Sequence, residues 1–104
     1  MYVFVRKDLS HPQQVVQACH AAIESSRHFI SLDSEHPSVI VCGVRDESNL
    51  WKIHRRLERL GVQFRDFYEP DIDNQLTAIA SSPISGANRE TFKHYQLLQE
   101  GGVL

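Results

Sequence analysis

Apolar and polar positions along the chain switch between a period of two and a period near 3.6, and each switch marks an element. Tyr2-Val3-Phe4-Val5-Arg6 is aromatic and β-branched, which predicts a short strand. Lys7 to Pro12 breaks the pattern as a loop, in which Ser10 suits a helix N-cap and Pro12 the first helical turn. From about Pro12 to His28, Val15, Val16, Cys19, Ala22 and Ile23 recur at three- and four-residue spacing. That spacing predicts a helix burying this face, with small Ala18 and Ala21 allowing close approach to a sheet. Ser31 to Pro37 is polar and loop-like. Val39-Ile40-Val41-Cys42-Gly43-Val44 is a nearly continuous apolar run, the pattern of a central strand covered on both faces.

Asp46-Glu47-Ser48 opens a second helix with acids well placed against its dipole. Leu50, Ile53, Leu57 and Leu60 form its inward stripe, and Gly61 stops it. Gln63 to Glu69 reads as a third strand with Phe64 and Phe67 for burial. Pro70 to Gln75 is a turn, and Leu76-Thr77-Ala78-Ile79-Ala80 is a fourth strand forming a hairpin with the third. Ser81 to Ala87 is a loop, Asn88 to Leu98 a last helix with Phe92, Tyr95 and Leu98 facing in, and Glu100-Gly101-Gly102 a fraying end. The order β-α-β-α-β-β-α predicts an α/β fold on a four-stranded mixed sheet, the first three strands mostly parallel, the fourth antiparallel to the third, and helices on both faces.

Composition narrows the class. A chain of 104 residues with 41% hydrophobic content suits one domain, 1–104, with one modest core. No apolar run is long enough to span a bilayer, and no basic region followed by an apolar block reads as a signal peptide. Two cysteines, Cys19 and Cys42, both inside predicted elements, do not make a disulfide framework; reduced thiols in a cytoplasmic protein are expected. A net charge of −2 excludes a protein that coats nucleic acid through bulk charge, but not a local basic patch.

Three short motifs carry chemistry-bearing residues: Val5-Arg6-Lys7-Asp8-Leu9, Gln17-Ala18-Cys19-His20-Ala21-Ala22, and Thr77-Ala78-Ile79-Ala80 followed by Pro83. In order and spacing they resemble the type II peptidyl-tRNA hydrolase family over roughly residues 2 to 98. The Ala18-Cys19-His20-Ala21-Ala22 form and the compact Glu69-Pro70 turn are most similar to its short peptidyl-tRNA hydrolase domain-containing branch. The resemblance implies a three-layer α/β/α sandwich and hydrolysis of the ester between a peptide and the terminal ribose of tRNA. It also implies roles for a Lys and a Gln on the first helix, an Asp before the fourth strand and a Thr on that strand. Carried over, the Gln is Gln17, the neighbouring His is His20 and the Thr is Thr77. Two departures stand out. The family's Lys position holds Gln13, and the Asp segment is replaced by Tyr68-Glu69-Pro70-Asp71, leaving Glu69 or Asp71 as the acid.

Ester hydrolysis needs a base for water, donors for the oxyanion and a grip on the RNA end. His20 is a candidate base, since imidazole exchanges protons near neutral pH, or else a structural hydrogen bonder. Gln13, Gln17 and His20 fall on one side of the helix. Thr77 is a candidate donor to substrate, or a strand residue chosen for β propensity. Glu69 and Asp71 are candidate carboxylates or ordinary turn formers, and Asp8 is expected to fix its loop. Lys52, Arg55, Arg56 and Arg59 make a basic stripe that either holds tRNA phosphates or is a solvated helix face. Arg6 and Lys7, at the first strand's exit, are further phosphate candidates beside the site.

Other chemistry is poorly supported by the pattern. His11, His20 and His28 share no ligand motif and neither cysteine has a Cys-x-x-Cys partner, so no metal site is expected, nor any cofactor. Ser81-Ser82-Pro83-Ile84-Ser85-Gly86 lacks a P-loop ending, and Cys19 cannot face the adjacent His20 on a helix. The expectation is a peptidyl-tRNA hydrolase, with the tRNA acceptor end as partner, no membrane, and a possible homodimer as assembly. The rival is a binding module that kept the fold and pocket after losing the Lys. A third reading is hydrolysis of another small ester or amide.

Overall fold

The computed structural model describes residues 1–98, so the fraying predicted for Glu100-Gly101-Gly102 lies outside the described residues. Four strands form one mixed sheet: β1 (Tyr2–Arg6), β2 (Ile40–Val44), β3 (Phe64–Glu69) and β4 (Gln75–Ser81), in the order β2-β1-β4-β3. β1 runs parallel to β2, and β4 antiparallel to both β1 and β3, so the first three strands share one direction as expected. Helix α1 (His11–Phe29) packs on one face and α2 (Glu47–Leu60) on the other, giving an α/β/α sandwich.

Alternation along β1 divides the core. Tyr2 and Phe4 join Leu50, Ile53, Leu57 and Phe92 on the α2 side, while Met1, Val3 and Val5 join Ala21, Ala78 and Ala80 on the α1 side. Every residue of β1 is buried, as a central strand requires. α2 follows its signals: the Asp46 side chain accepts from Asn49 N at 3.0 Å, and Gly61 closes the helix in the left-handed region at φ 71°. Ser10 caps α1 by accepting from Gln13 N at 3.3 Å. The β3–β4 hairpin turns through a 3₁₀ turn at Pro70–Ile72, then Asp73 and Asn74 at positive φ, a conformation these residues tolerate.

Four expectations are corrected. The buried face of α1 is Gln14, Gln17, Ala21 and Ser25, whereas Val15 (49% exposed), Val16, Cys19 and Ile23 (55% exposed) lie on the outer side. Small residues bring the helix close to the sheet, and two of its polar inner residues, Gln14 and Ser25, find backbone partners. Gln14 Nε2 donates to Lys7 O at 3.2 Å and Leu9 O at 2.8 Å, and Ser25 Oγ donates to Ser81 O at 2.8 Å. The apolar run at 39–44 is an edge strand, not a central one. Residues 96–98 cover its free side, Gly43 N donating to Gln96 O and Leu98 N to Val41 O. That use of the backbone also explains the third correction. Instead of a helix to Leu98, a 3₁₀ segment Gly86–Phe92 delivers Phe92 and Tyr95 to the core, and the chain then extends along β2. Lastly, Leu60 is exposed at the C-terminal end of the α2 stripe.

Candidate active site

The three motifs meet at the end of the sheet where β1 and β3 finish and β4 begins, on the α1 face. A register irregularity in β4 builds the meeting point. Phe67 pairs with Ala78 and Tyr68 with Leu76, so Thr77 is the extra residue of a β-bulge. The bulge interrupts alternation: Leu76 belongs to the α2-side core, yet Thr77 turns its hydroxyl to α1 beside Ala78.

Gln17 is the hub. It is 1% exposed, and Thr77 is fully buried. Thr77 Oγ1 donates to Gln17 Oε1 at 2.7 Å, while Gln17 Nε2 donates to Glu69 Oε1 and to Gln13 Oε1, each at 3.2 Å. One carboxamide thereby joins α1, β3 and β4, with both N–H groups donating and its oxygen accepting. Glu69 fixes which end of the amide is which: its carboxylate only accepts, so Nε2 faces it and Oε1 is left to take the Thr77 hydroxyl proton. Glu69 is half-buried and Gln13 exposed, so this end of the network opens to solvent.

His20, one turn after Gln17, is exposed and stacks on Phe67, with ring centroids 4.6 Å apart and planes 11° apart. The aromatic shelf fixes the plane of the imidazole. Hydrogen bonds join Gln17, Thr77, Glu69 and Gln13, and His20 stands one helical turn beyond Gln17, against Phe67. The structure does not bring in Asp71, which stands exposed on the 3₁₀ turn and makes no hydrogen bond to the network.

The basic residues separate into different environments. Arg6 is 7% exposed. It donates through Nε and Nη2 to both Asp8 oxygens at 2.9 and 2.8 Å, and through Nη1 to Gln75 Oε1 and Leu76 O. Expected as a phosphate contact, Arg6 instead clamps the exit of β1 to the start of β4, and Asp8 fixes its loop as anticipated. The hydrogen bonds of the pair raise the Arg6 pKa and hold the Asp8 carboxyl below its ordinary range. Lys7 is exposed, and its stem crosses Gly43, where any Cβ would lie 2.7 Å from Lys7 Cδ. On α2, Lys52, Arg55 and Arg59 are exposed and Arg56 is half-buried; Lys52 and Arg56 line a cleft on the far face of the sheet together with exposed Arg45, and Arg55 and Arg59 do not. Arg45 and the shelf residue Phe67 were not singled out as functional from sequence. Arg45 had one readable signal, its place immediately after a strand that ends at the same rim as β1.

Burial pushes the Cys42 thiol up to about 11, which leaves it a packing residue. Among the described residues no group of three or more His, Cys, Asp or Glu side chains is placed to share a metal ion, and no helix is long and apolar enough to cross a membrane. Comparison with curated proteins finds no match. A family model described as peptidyl-tRNA hydrolase PTH2 matches residues 1–98, a span that includes all three motifs and every strand. The chain therefore belongs to the PTH2 family, and family membership makes it a hydrolase of peptidyl-tRNA.

Proposed function

We propose that the Gln17 hub is the catalytic centre and that Glu69 supplies the carboxylate that the family's Asp supplies elsewhere. The observation that carries this reading is the convergence of Gln17, Thr77 and Glu69 from three elements on one amide, with Glu69 Oε1 at 3.2 Å. A bulge is spent on aiming Thr77 there, as bulges beside active sites commonly are.

In this mechanism the ester carbonyl oxygen replaces Gln13 Oε1 on Gln17 Nε2, since Gln13 is exposed and free to swing away. Glu69 accepts a proton from water as the water oxygen attacks the carbonyl carbon. The Gln17 N–H steadies the oxyanion, with Thr77 positioning the amide through Oε1. Collapse breaks the carbonyl carbon–ribose oxygen bond. The departing oxygen takes a proton from His20, held flat on Phe67 at the open side. Asp71 has no part in these steps. With Arg6 held by Asp8, the exposed Lys7 is the cation at the β1 exit for the RNA end.

We also infer that the chain falls in the short domain-containing branch, supported by Ala18-Cys19-His20-Ala21-Ala22 and the Glu69-Pro70 turn. Residues 1–104 form one domain in this reading, and a cytoplasmic setting suits the unpaired thiols Cys19 and Cys42. A homodimer would have an apolar surface available in Val15, Val16 and Ile23 on the outer side of α1.

The test is release of peptide from an N-blocked aminoacyl-tRNA. The wild type turns over, His20→Ala turns over more slowly, and Gln13→Lys turns over faster. The binding-module reading is favoured by a separate observation, the engagement of both Gln17 N–H groups within the protein. It predicts that the wild type binds tRNA without releasing peptide.

A further inference from the structure

The sheet carries a second polar site on the opposite face from Gln17. Where β2 ends and the first turns of α2 pass over it, a cleft of about 320 Å³ is lined by Arg45, Asn49, Lys52, Ile53, Arg56 and Tyr95. Three of these are cations, and among the described residues none of the three forms an ion pair. Asp46, next to Arg45 in the chain, attracts it at longer range but forms no ion pair with it, and its Oδ1 accepts from Asn49 N at 3.0 Å and Asn49 Nδ2 at 2.7 Å.

Arg56 is organised in advance. Its Nη1 donates to Tyr95 Oη at 2.6 Å and its Nη2 to Thr91 O at 3.2 Å, with the guanidinium 5.4 Å from the Tyr95 ring centroid. A guanidinium fixed by a phenol and a carbonyl, with no carboxylate to neutralise it, differs from a solvated helix face. Arg55 and Arg59, on the same helix, line no part of this cleft.

The cleft also has a defined place relative to the proposed catalytic centre. β1, β2 and β3 end at the same rim of the sheet, which carries Lys7, Arg45 and Glu69 respectively. With adjacent strands about 4.8 Å apart, the β2 end lies on the order of 15 Å from the β3 end. Lys7 joins the two regions: its N donates to Val44 O at 2.7 Å, and its stem lies across Gly43.

We propose that this α2-side cleft binds backbone phosphates of the RNA strand leading to the ester-bearing 3′ end, with Arg45 and Lys52 as the phosphate contacts and Arg56 a third cation positioned by Tyr95. The proposal rests on peptidyl-tRNA being the substrate. It deepens that reading by assigning part of the RNA grip to the face opposite the ester site.

The test is the affinity of a fluorescently labelled single-stranded RNA carrying a tRNA 3′-end sequence, measured over a salt series. For single strands the slope of log K against log salt is about −0.7 per phosphate neutralised, so Arg45→Ala/Lys52→Ala should shallow the slope by roughly 1.4 and weaken binding at least tenfold at low salt. Arg55→Ala/Arg59→Ala removes the same charge outside the cleft and should change affinity less than threefold. Tyr95→Phe keeps the ring and the net charge but frees Arg56, and should weaken binding by an intermediate factor. Equal losses in the two double variants, or unchanged affinity in Arg45→Ala/Lys52→Ala with its circular dichroism intact, overturn the proposal. Because binding is read without turnover, a wild type that binds this RNA yet releases no peptide would contradict the catalytic reading and leave the cleft assignment standing.

Discussion

Replacing Thr77 by valine isolates one buried hydroxyl. Thr77 is fully buried and donates 2.7 Å to Gln17 Oε1, itself in a side chain only 1% exposed. Valine keeps the β-branched outline, so the space stays filled and the main loss is the donor. Gln17 Oε1 accepts from no other group among the described residues. It therefore becomes a buried acceptor without a donor, at a cost of about 1–3 kcal/mol. The slightly better strand propensity of valine offsets only a few tenths of that. At roughly 4–8 °C per kcal/mol for a domain of this size, Tm should fall by about 5–20 °C. Urea unfolding would give the same quantity as a lowered midpoint with an unchanged slope. Thr77→Ser retains the hydroxyl and should recover most of the loss. The decisive control is Gln17→Leu. With the acceptor gone, Thr77→Val should cost much less than in the wild type, a coupling of at least about 1 kcal/mol. A wild-type midpoint for Thr77→Val, or additive losses in the double variant, would refute the claim that this hydroxyl holds the hub.

Further outcomes follow from the other contacts described above. Asp8 has its pKa lowered by Arg6, so its stabilisation is present above the ordinary carboxylate value and is lost as pH falls through the lowered one. Asp8→Asn should thus reduce stability by on the order of 1 kcal/mol at neutral pH, a figure discounted because Asp8 is 41% exposed, and the gap to wild type should close in acid; a gap independent of pH would contradict the pairing. Iodoacetamide on the native protein should label exposed Cys19 and spare Cys42, whose thiol is buried and shifted to about 11; mass spectrometry showing equal labelling would contradict this. Gly43→Ala puts a Cβ 2.7 Å from Lys7 Cδ and 2.9 Å from Lys7 Cγ, atoms on a flexible stem. The unfolding midpoint should move little, by less than about 1 kcal/mol, while the Lys7 side-chain resonances shift; a large destabilisation would mean the stem cannot yield.

Local signals carried much of this fold. Caps and stops worked because they act within a few residues: Ser10, Asp46 and Gly61 each stand where expected. The inner face of α1 was misread because two stripes compete on that helix. The apolar one faces out, and the inner one is Gln14, Gln17, Ala21 and Ser25, whose polar members are satisfied by the loop before the helix, by the Glu69 and Thr77 side chains and by Ser81 O, partners that periodicity does not record. The final segment was misread for a related reason. Its backbone satisfies the free edge of β2, a long-range pairing that periodicity does not record. Within the site, Gln17, His20 and Thr77 were legible as motif residues, but the bulge that aims Thr77 was not, since it exists only as a register mismatch between β3 and β4. The choice between Glu69 and Asp71 also required the structure. Glu69 ends a strand beside the hub, whereas Asp71 has turned onto the exposed 3₁₀ turn.

The most direct test of the central claim is single-turnover release of peptide from an N-blocked aminoacyl-tRNA by wild type and Glu69→Gln, with tRNA affinity measured on the same preparations. Glutamine keeps the size of the side chain and removes the proton acceptor. The Gln17 hub predicts release by the wild type, and a loss of about 10²–10⁴-fold in Glu69→Gln at unchanged tRNA affinity. A wild type that binds tRNA but releases nothing at any enzyme concentration, or a Glu69→Gln variant with the wild-type rate, would contradict it.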